Sequence, residues 1–334
     1  MRITQKGRGE GLFAPLAPCS QVEQPGQTIE ITVKASPVMG ETRRYFLLTG
    51  VSLLGSRAYA RSLLAAELPG PTPEAVRFQS KDGRTELVGY VFSPGTSGRQ
   101  TAAVVMLHGR AGPYSSRAHG TYDATTLSKR HVFWGDLWAS LGYHALLVDS
   151  FSPRGYPTGF PIHSYAVRPD AVNEVTVRPL DAYGGLAYLK GRANVDPSRI
   201  ALMGWSNGGS ATLSAMADVT LKSVGLAPDE AYKGAIAFYP ACGLHDRFND
   251  RYDPYAPVRI FSGDNDEEVS AAHCARLVEA SKTIGGDIEI SIYPGATHDF
   301  DDPARPRQRV SANAAAARDA IARAIVFTQN LFEG

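Results

Sequence analysis

The chain has no uninterrupted apolar run of about 18 residues, which excludes an ordinary membrane-spanning helix. It also lacks a charge excess: 34 basic against 33 acidic side chains leave a formal net charge of +1. Nucleic acid and anionic membrane surfaces call for a basic excess on one face, so neither is expected as the main partner. Cysteine is scarce, with three in the chain. No metal-ligand cluster and no phosphate-cradling glycine loop stands out, so no metal or organic cofactor is expected. What is present is the composition of a soluble globular protein, 43% apolar and 20% charged. Its 334 residues suffice for one large α/β domain.

Residues 1–38 are rich in Gly, Pro, Gln and Ser, with one β-like run at 28–33. They are expected to be unstructured or to precede a true start at Met39. The following Thr42-Arg43-Arg44-Tyr45-Phe46-Leu47-Leu48 resembles the twin-arginine export motif. A weakly apolar run over 45–55 fits a signal-peptide core, and Ala58-x-Ala60 offers the small side chains a signal peptidase accepts. A leader over 39–60 is therefore expected, and with it a periplasmic or secreted protein; without use of the leader the protein would be cytoplasmic. Leader removal takes Cys19 with it and leaves Cys242 and Cys274. A disulfide between them and two buried free thiols both remain open on spacing alone.

Leu68-Pro69-Gly70-Pro71-Thr72-Pro73 reads as part of a linker over 61–74, followed by a single domain over 75–334. In that domain β-like and helix-like segments alternate. Residues 76–80 and 86–93 pattern as a hairpin about Asp82-Gly83. Further strands are expected at 101–108, 143–149, 199–204, 234–239, 258–262 and 288–293, with helices at 171–190, 207–217, 269–283 and 311–332. Continuous apolar strands separated by helices predict an α/β fold: a mostly parallel central sheet with helices on both faces.

Gly204-Trp205-Ser206-Asn207-Gly208-Gly209 joins the strand at 199–204 to the helix at 207–217. This is G-x-S-x-G in the strand-turn-helix context of a serine nucleophile. The turn is sharp, so residues two away from the serine must lack side chains for strand and helix to approach. The helix N-terminus then offers N–H groups and a positive dipole to a developing oxyanion. A glycine-rich turn with a solvent-facing serine would show the same five residues. Strand, helix and downstream partners favour the nucleophile.

Partners of such a serine follow in the order Asp or Glu, then His. The strand at 258–262 runs into Gly263-Asp264-Asn265-Asp266-Glu267-Glu268-Val269, where Asp266 has Gly-x-x-Asp spacing and Asp264 competes with it. Of eight histidines, His245, His273 and His298 follow Ser206. Only His298 lies in the loop after the last expected strand. The expected triad is Ser206 as nucleophile, His298 as base and Asp266 as the acid that fixes the tautomer. The loop His108-Gly109-Arg110-Ala111-Gly112-Pro113 should supply the second oxyanion donor. Its Arg110 N–H and the Asn207 N–H are assigned that role, and His108 is read as holding the loop.

Together these residues resemble the dienelactone hydrolase family of the α/β-hydrolase superfamily, from about residue 75 to the C-terminus. The likeness is carried by His108-Gly109, by Asp149-Ser150-Phe151-Ser152-Pro153-Arg154-Gly155, by Phe238-Tyr239-Pro240, by the double-glycine elbow and by Tyr293-Pro294-Gly295-Ala296-Thr297-His298-Asp299-Phe300. The founding members carry cysteine where this chain has Ser206. The resemblance therefore implies a serine-bearing relative that cleaves a small-molecule ester or lactone through an acyl-enzyme, and it points away from dienelactone itself. A serine peptidase or amidase of the same fold, and a catalytically silent binding protein, are the alternatives. Arg154 is a candidate for pairing with a substrate carboxylate, and Tyr114, Trp205 and Tyr239 for walling an acyl pocket; each also reads as structural. A monomer is expected.

Overall fold

The computed structural model describes residues 70–95, 98–248 and 251–333. The leader-like segment, Cys19 and the run at 28–33 lie outside them. Eight strands form one sheet in the order β1-β2-β4-β3-β5-β6-β7-β8. They are β1 (Glu74–Gln79), β2 (Glu86–Phe92), β3 (Thr101–Leu107), β4 (His144–Asp149), β5 (Val195–Trp205), β6 (Ala235–Phe238), β7 (Val258–Gly263) and β8 (Ile288–Tyr293). β2 pairs antiparallel with both β1 and β4, and all remaining pairs are parallel. The β1–β2 turn is held by Asp82, whose Oδ1 accepts the Arg84 and Thr85 N–H groups at 2.8 Å.

The period-two geometry of a strand divides the apolar residues between two cores. Val105 and Leu107 of β3, Leu146 and Val148 of β4, and Ile200 and Leu202 of β5 face one side. There they meet the helices Arg178–Lys190, Asn207–Met216 and Ala271–Thr283. Val104 and Met106, Ala145 and Leu147, and Ala201 and Met203 face the other side. That side is closed by the helices Lys129–Ser140 and Ser311–Glu333 and holds Trp134, Trp138 and Trp205. Both faces of the central strands are dry, as expected for a parallel sheet, and each large apolar side chain buried there contributes roughly 1.5–3 kcal/mol.

The expected strands all form, but the helices differ from the sequence pattern, and the short helices Asp218–Ser223 and Arg305–Gln308 were not expected. The helix expected from 171 begins at Arg178. Upstream, Asn173 Oδ1 accepts the Val175 and Thr176 N–H groups at 2.8 and 3.0 Å, a local turn that competes with helix, and Pro179 fits the first helical turn. The helix Lys129–Ser140 was not expected. Its buried face includes Arg130, His131 and Asp136 beside Trp134, Leu137 and Trp138, so polar residues interrupt the apolar stripe.

Candidate active site

Ser206 follows β5 directly and adopts φ 52°, ψ −118°, a conformation that side chains other than glycine's rarely take. Its neighbours show why the turn needs glycine. A Cβ on Gly204 would stand 2.3 Å from the Gly208 carbonyl oxygen, and one on Gly208 would stand 2.1 Å from the Leu107 oxygen. The bend is pinned by the Ser206 N–H, which donates to Phe238 O at 2.9 Å, and by the Ser210 N–H, which donates to Ser206 O at 2.9 Å.

His298 lies after β8 and Asp266 after β7, so three strand ends bring the expected triad together. His298 Nε2 is 2.9 Å from Ser206 Oγ, and its Nδ1 is 2.8 Å from Asp266 Oδ2. A carboxylate only accepts, so Nδ1 carries the proton and Nε2 is left to receive the serine's. Asp266 is itself fixed: its Oδ1 accepts the Glu268 and Val269 N–H groups at 2.8 and 2.9 Å. The competitor Asp264 instead accepts the Gly295 N–H at 2.6 Å, holding the loop that carries His298. Burial disfavours the His298 cation, but the hydrogen bond to Asp266 and the charges of Asp299, Asp266 and Glu268 outweigh it, and the imidazole pKa is raised.

The His108 loop comes alongside the elbow. A Cβ on Gly109 would lie 3.5 Å from Ser206 Cβ, so the next peptide, that of Arg110, passes close to the nucleophile. His108 holds this loop as expected. It bonds Gly109 O through Nδ1 at 2.7 Å and accepts the Ser150 N–H on Nε2 at 3.2 Å. Burial and the Arg178 charge push its pKa well down, so it stays neutral. The Arg110 side chain turns outward to Glu268, with two bonds of 2.7 and 2.6 Å. Glu268 Oε2 stands 3.8 Å from His298 Nε2.

Ser206 and Asn207 open into a cavity of about 590 Å³ whose other lining residues include Arg110, Tyr165, Arg168, Glu174, His245 and Glu268. The four residues expected to contact substrate are not among them. Arg154 donates to Asp181 at 2.8 Å twice, to Asp82 at 2.9 Å and to Ser150 O at 2.7 Å, so its guanidinium is consumed within the fold. Tyr114 bonds Asp149 at 2.9 Å and Trp205 bonds Asp301 at 2.8 Å, both in the core. Tyr239 also bonds Asp301, and its ring packs 4.6 Å from the His298 ring. These four therefore support the site from behind instead of lining it. The aromatic residues were drawn inward because the sheet's second core lies directly beneath the elbow.

Sequence reasoning missed Glu268, Arg178 and Glu174 and set His245 aside as following a different strand. Of the three missed, only Glu268 carried a signal, as one of the carboxylates crowded after β7. Glu174 and His245 meet at 3.2 Å, and Tyr165 stacks on His245 at 4.7 Å. Cys242 and Cys274 stand at bonding distance, Sγ–Sγ 2.03 Å, with Cys242 at the cavity wall.

Comparison with known proteins bears on this arrangement. An uncharacterized peptidase, YuxL, of Bacillus subtilis is 23% identical over 270 residues, which are 71% of this chain and 37% of that protein. This chain thus spans well under half the length of that relative. A puromycin-hydrolyzing peptidase of Mycobacterium tuberculosis superposes with a TM-score of 0.56 at 19% identity, over 80% of this chain and 41% of that one. A thermophilic esterase of Thermogutta terrifontis superposes at 0.52 and 19% identity, over 78% and 92%. At such identities the two structures show the fold alone. The family model is more decisive: it spans residues 88–332, from β2 to the last helix and across every residue of the Ser206 site. The chain belongs to the dienelactone hydrolase family and has the α/β-hydrolase fold.

Proposed function

We propose that the protein hydrolyses carboxylic esters or lactones through an acyl-enzyme on Ser206. The observation that carries this reading is the continuous chain from Ser206 Oγ through His298 to Asp266, with the serine facing a cavity large enough for a small ester. Ser206 Oγ attacks the carbonyl carbon while His298 Nε2 takes its proton. The carbonyl oxygen gains the negative charge and is met by the Arg110 and Asn207 backbone N–H groups. Collapse of the tetrahedral intermediate expels the alkoxide, which His298 protonates. Water, activated by the same imidazole, then attacks the acyl-enzyme and regenerates Ser206. In a lactone the leaving alkoxide stays attached to the acyl group, and the remaining steps are the same.

The test is hydrolysis of a short p-nitrophenyl ester and a lactone by the wild type and Ser206→Ala. The wild type is expected to turn over at least one of them, and the variant to lose roughly a thousandfold or more in kcat. Equal activity in both proteins would remove Ser206 as nucleophile. Amide cleavage uses the same steps and is the second reading, favoured by the peptidase names of two relatives. A p-nitroanilide in the same panel separates it from ester hydrolysis.

A further inference from the structure

Arg178 opens the helix Arg178–Lys190, and its side chain is completely buried. Among the described residues, no carboxylate oxygen comes within 4.0 Å of its guanidinium, and its Nε has no acceptor. Asp181, one turn along the same helix, gives its carboxylate to Arg154 instead. A buried cation without a contacting anion costs several kcal/mol, so its retention needs a reason beyond packing. Burial pushes its pKa down, to about 10, and it remains charged at neutral pH.

What Arg178 does touch is specific. Nη1 donates to Asn207 Oδ1, and Nη2 donates to His108 O at 2.8 Å. The guanidinium also lies over the Phe151 ring, 4.9 Å from its centroid, which fixes its plane. Asn207 and the segment His108-Gly109-Arg110 are the two arms from which the oxyanion donors come. The loop arm has a second tie: Gly109 O, the carbonyl of the peptide that bears the Arg110 N–H, accepts the Gly112 N–H at 3.1 Å and the His108 Nδ1–H at 2.7 Å. Hydrogen bonds to a peptide carbonyl polarise the N–H on the other side of that peptide.

We propose that Arg178 is the positioning residue of the oxyanion hole: it clamps the Asn207 and His108 arms at a fixed spacing and places a positive charge that no anion contacts behind the oxygen that becomes negative. The inference rests on the acyl-transfer reading above. At rest the guanidinium lacks a contacting anion; in the tetrahedral intermediate a full negative charge forms between the two segments it holds. Its favourable interaction is therefore stronger in the transition state than in the ground state, which raises kcat and leaves KM nearly unchanged.

The experiment uses the full chain with Arg178→Lys, Arg178→Met and Asn207→Ala, a p-nitrophenyl ester, and an alkyl trifluoromethyl ketone. Serine addition to the ketone carbon sends the C=O electron pair to oxygen and the serine proton to His298, giving a stable mimic of the intermediate. Asn207→Ala removes the side-chain amide that Arg178 grips and keeps the backbone N–H, so it tests the clamp even where Arg178 variants do not fold. Expected are kcat losses of roughly tenfold to a hundredfold in Arg178→Met and Asn207→Ala, and smaller ones in Arg178→Lys, with KM within about twofold. Ketone affinity should weaken in proportion to kcat/KM. A kcat within twofold of wild type in folded Asn207→Ala, or a kcat loss with ketone affinity intact, overturns the clamp. Should the wild type hydrolyse no ester while still binding no ketone, the acyl-transfer reading itself falls, and the clamp with it. An active wild type and a dead Ser206→Ala alongside unaffected clamp variants would remove the clamp alone.

Discussion

Burial alone would keep the His298 imidazole neutral, yet Asp266, Asp299 and Glu268 favour its cation and prevail. The same shift acts on catalysis and stability with opposite signs. As a base His298 works when neutral, so kcat/KM should rise as pH climbs through a folded-state pKa above the ordinary 6.5. The stabilisation from its carboxylate partners is complete below that ordinary value, where the unfolded imidazole is protonated too, and is lost as pH rises through the folded pKa. Glu268 lies outside the triad and faces the Nε2 atom that takes the serine proton. Glu268→Gln removes one carboxylate facing Nε2 and leaves Arg110 without its ion-pair partner; both changes lower the His298 pKa. The acid limb of the pH profile of kcat/KM should therefore move to lower pH in that variant. An unmoved limb would mean that Glu268 does not act on the base. At this scale the sequence separated Ser206 and His298 cleanly, because chain order and loop position single them out. It left Asp266 and Asp264 in competition, since both are carboxylates past the same strand end and only the folded loops show that one reaches His298 while the other takes Gly295.

Among the elements, the strands were legible because buried parallel strands need continuous apolar runs, and Ala102–Leu107, Ala145–Val148, Ile200–Met203 and Ala235–Phe238 supply them. The helix Lys129–Ser140 was hidden by the buried polar residues on its face, where His131 bonds Pro113 O at 2.9 Å and Trp134 bonds Asp301 at 2.9 Å. Such partners are long-range in sequence and leave no periodic trace. A second long-range link joins the loop after β6 to the helix Ala271–Thr283, where the Cys242 and Cys274 sulfur atoms come to bonding distance across 32 residues of sequence. The bond itself is a proposal that this placement supports. Closing a loop of that length removes denatured-state entropy worth roughly 3–4 kcal/mol. Cys242→Ser should lose about that much stability in denaturant unfolding under oxidising conditions, and much less relative to wild type in a reducing buffer. Thiol titration of the unfolded, unreduced protein that finds Cys242 and Cys274 both reactive would refute the bond.

For the molecule as a whole, the sheet, both cores and the Ser206 site are built from residue 74 onward, while the segment resembling a twin-arginine leader precedes them. We propose export, for which the paired Arg43 and Arg44 ahead of Phe46-Leu47 are the sequence support and the cysteine pair a compatible feature. Replacing both arginines by lysine should retain the protein in the cytoplasm, as read by fractionating cells that express the full chain. An unchanged distribution between fractions would rule out twin-arginine export.

The cavity has one further property. Its reacting atoms sit on strand ends fixed by the sheet, whereas most of its wall comes from connecting segments at 162–174, 241–246 and 268–273. The sheet's hydrogen bonds do not depend on those segments, so substitutions at their exposed positions are only weakly coupled to the stability of the open sheet beneath. A lineage carrying this fold can thus exchange one clientele of substrates for another by drift in three short stretches, while the bond-breaking apparatus is inherited intact.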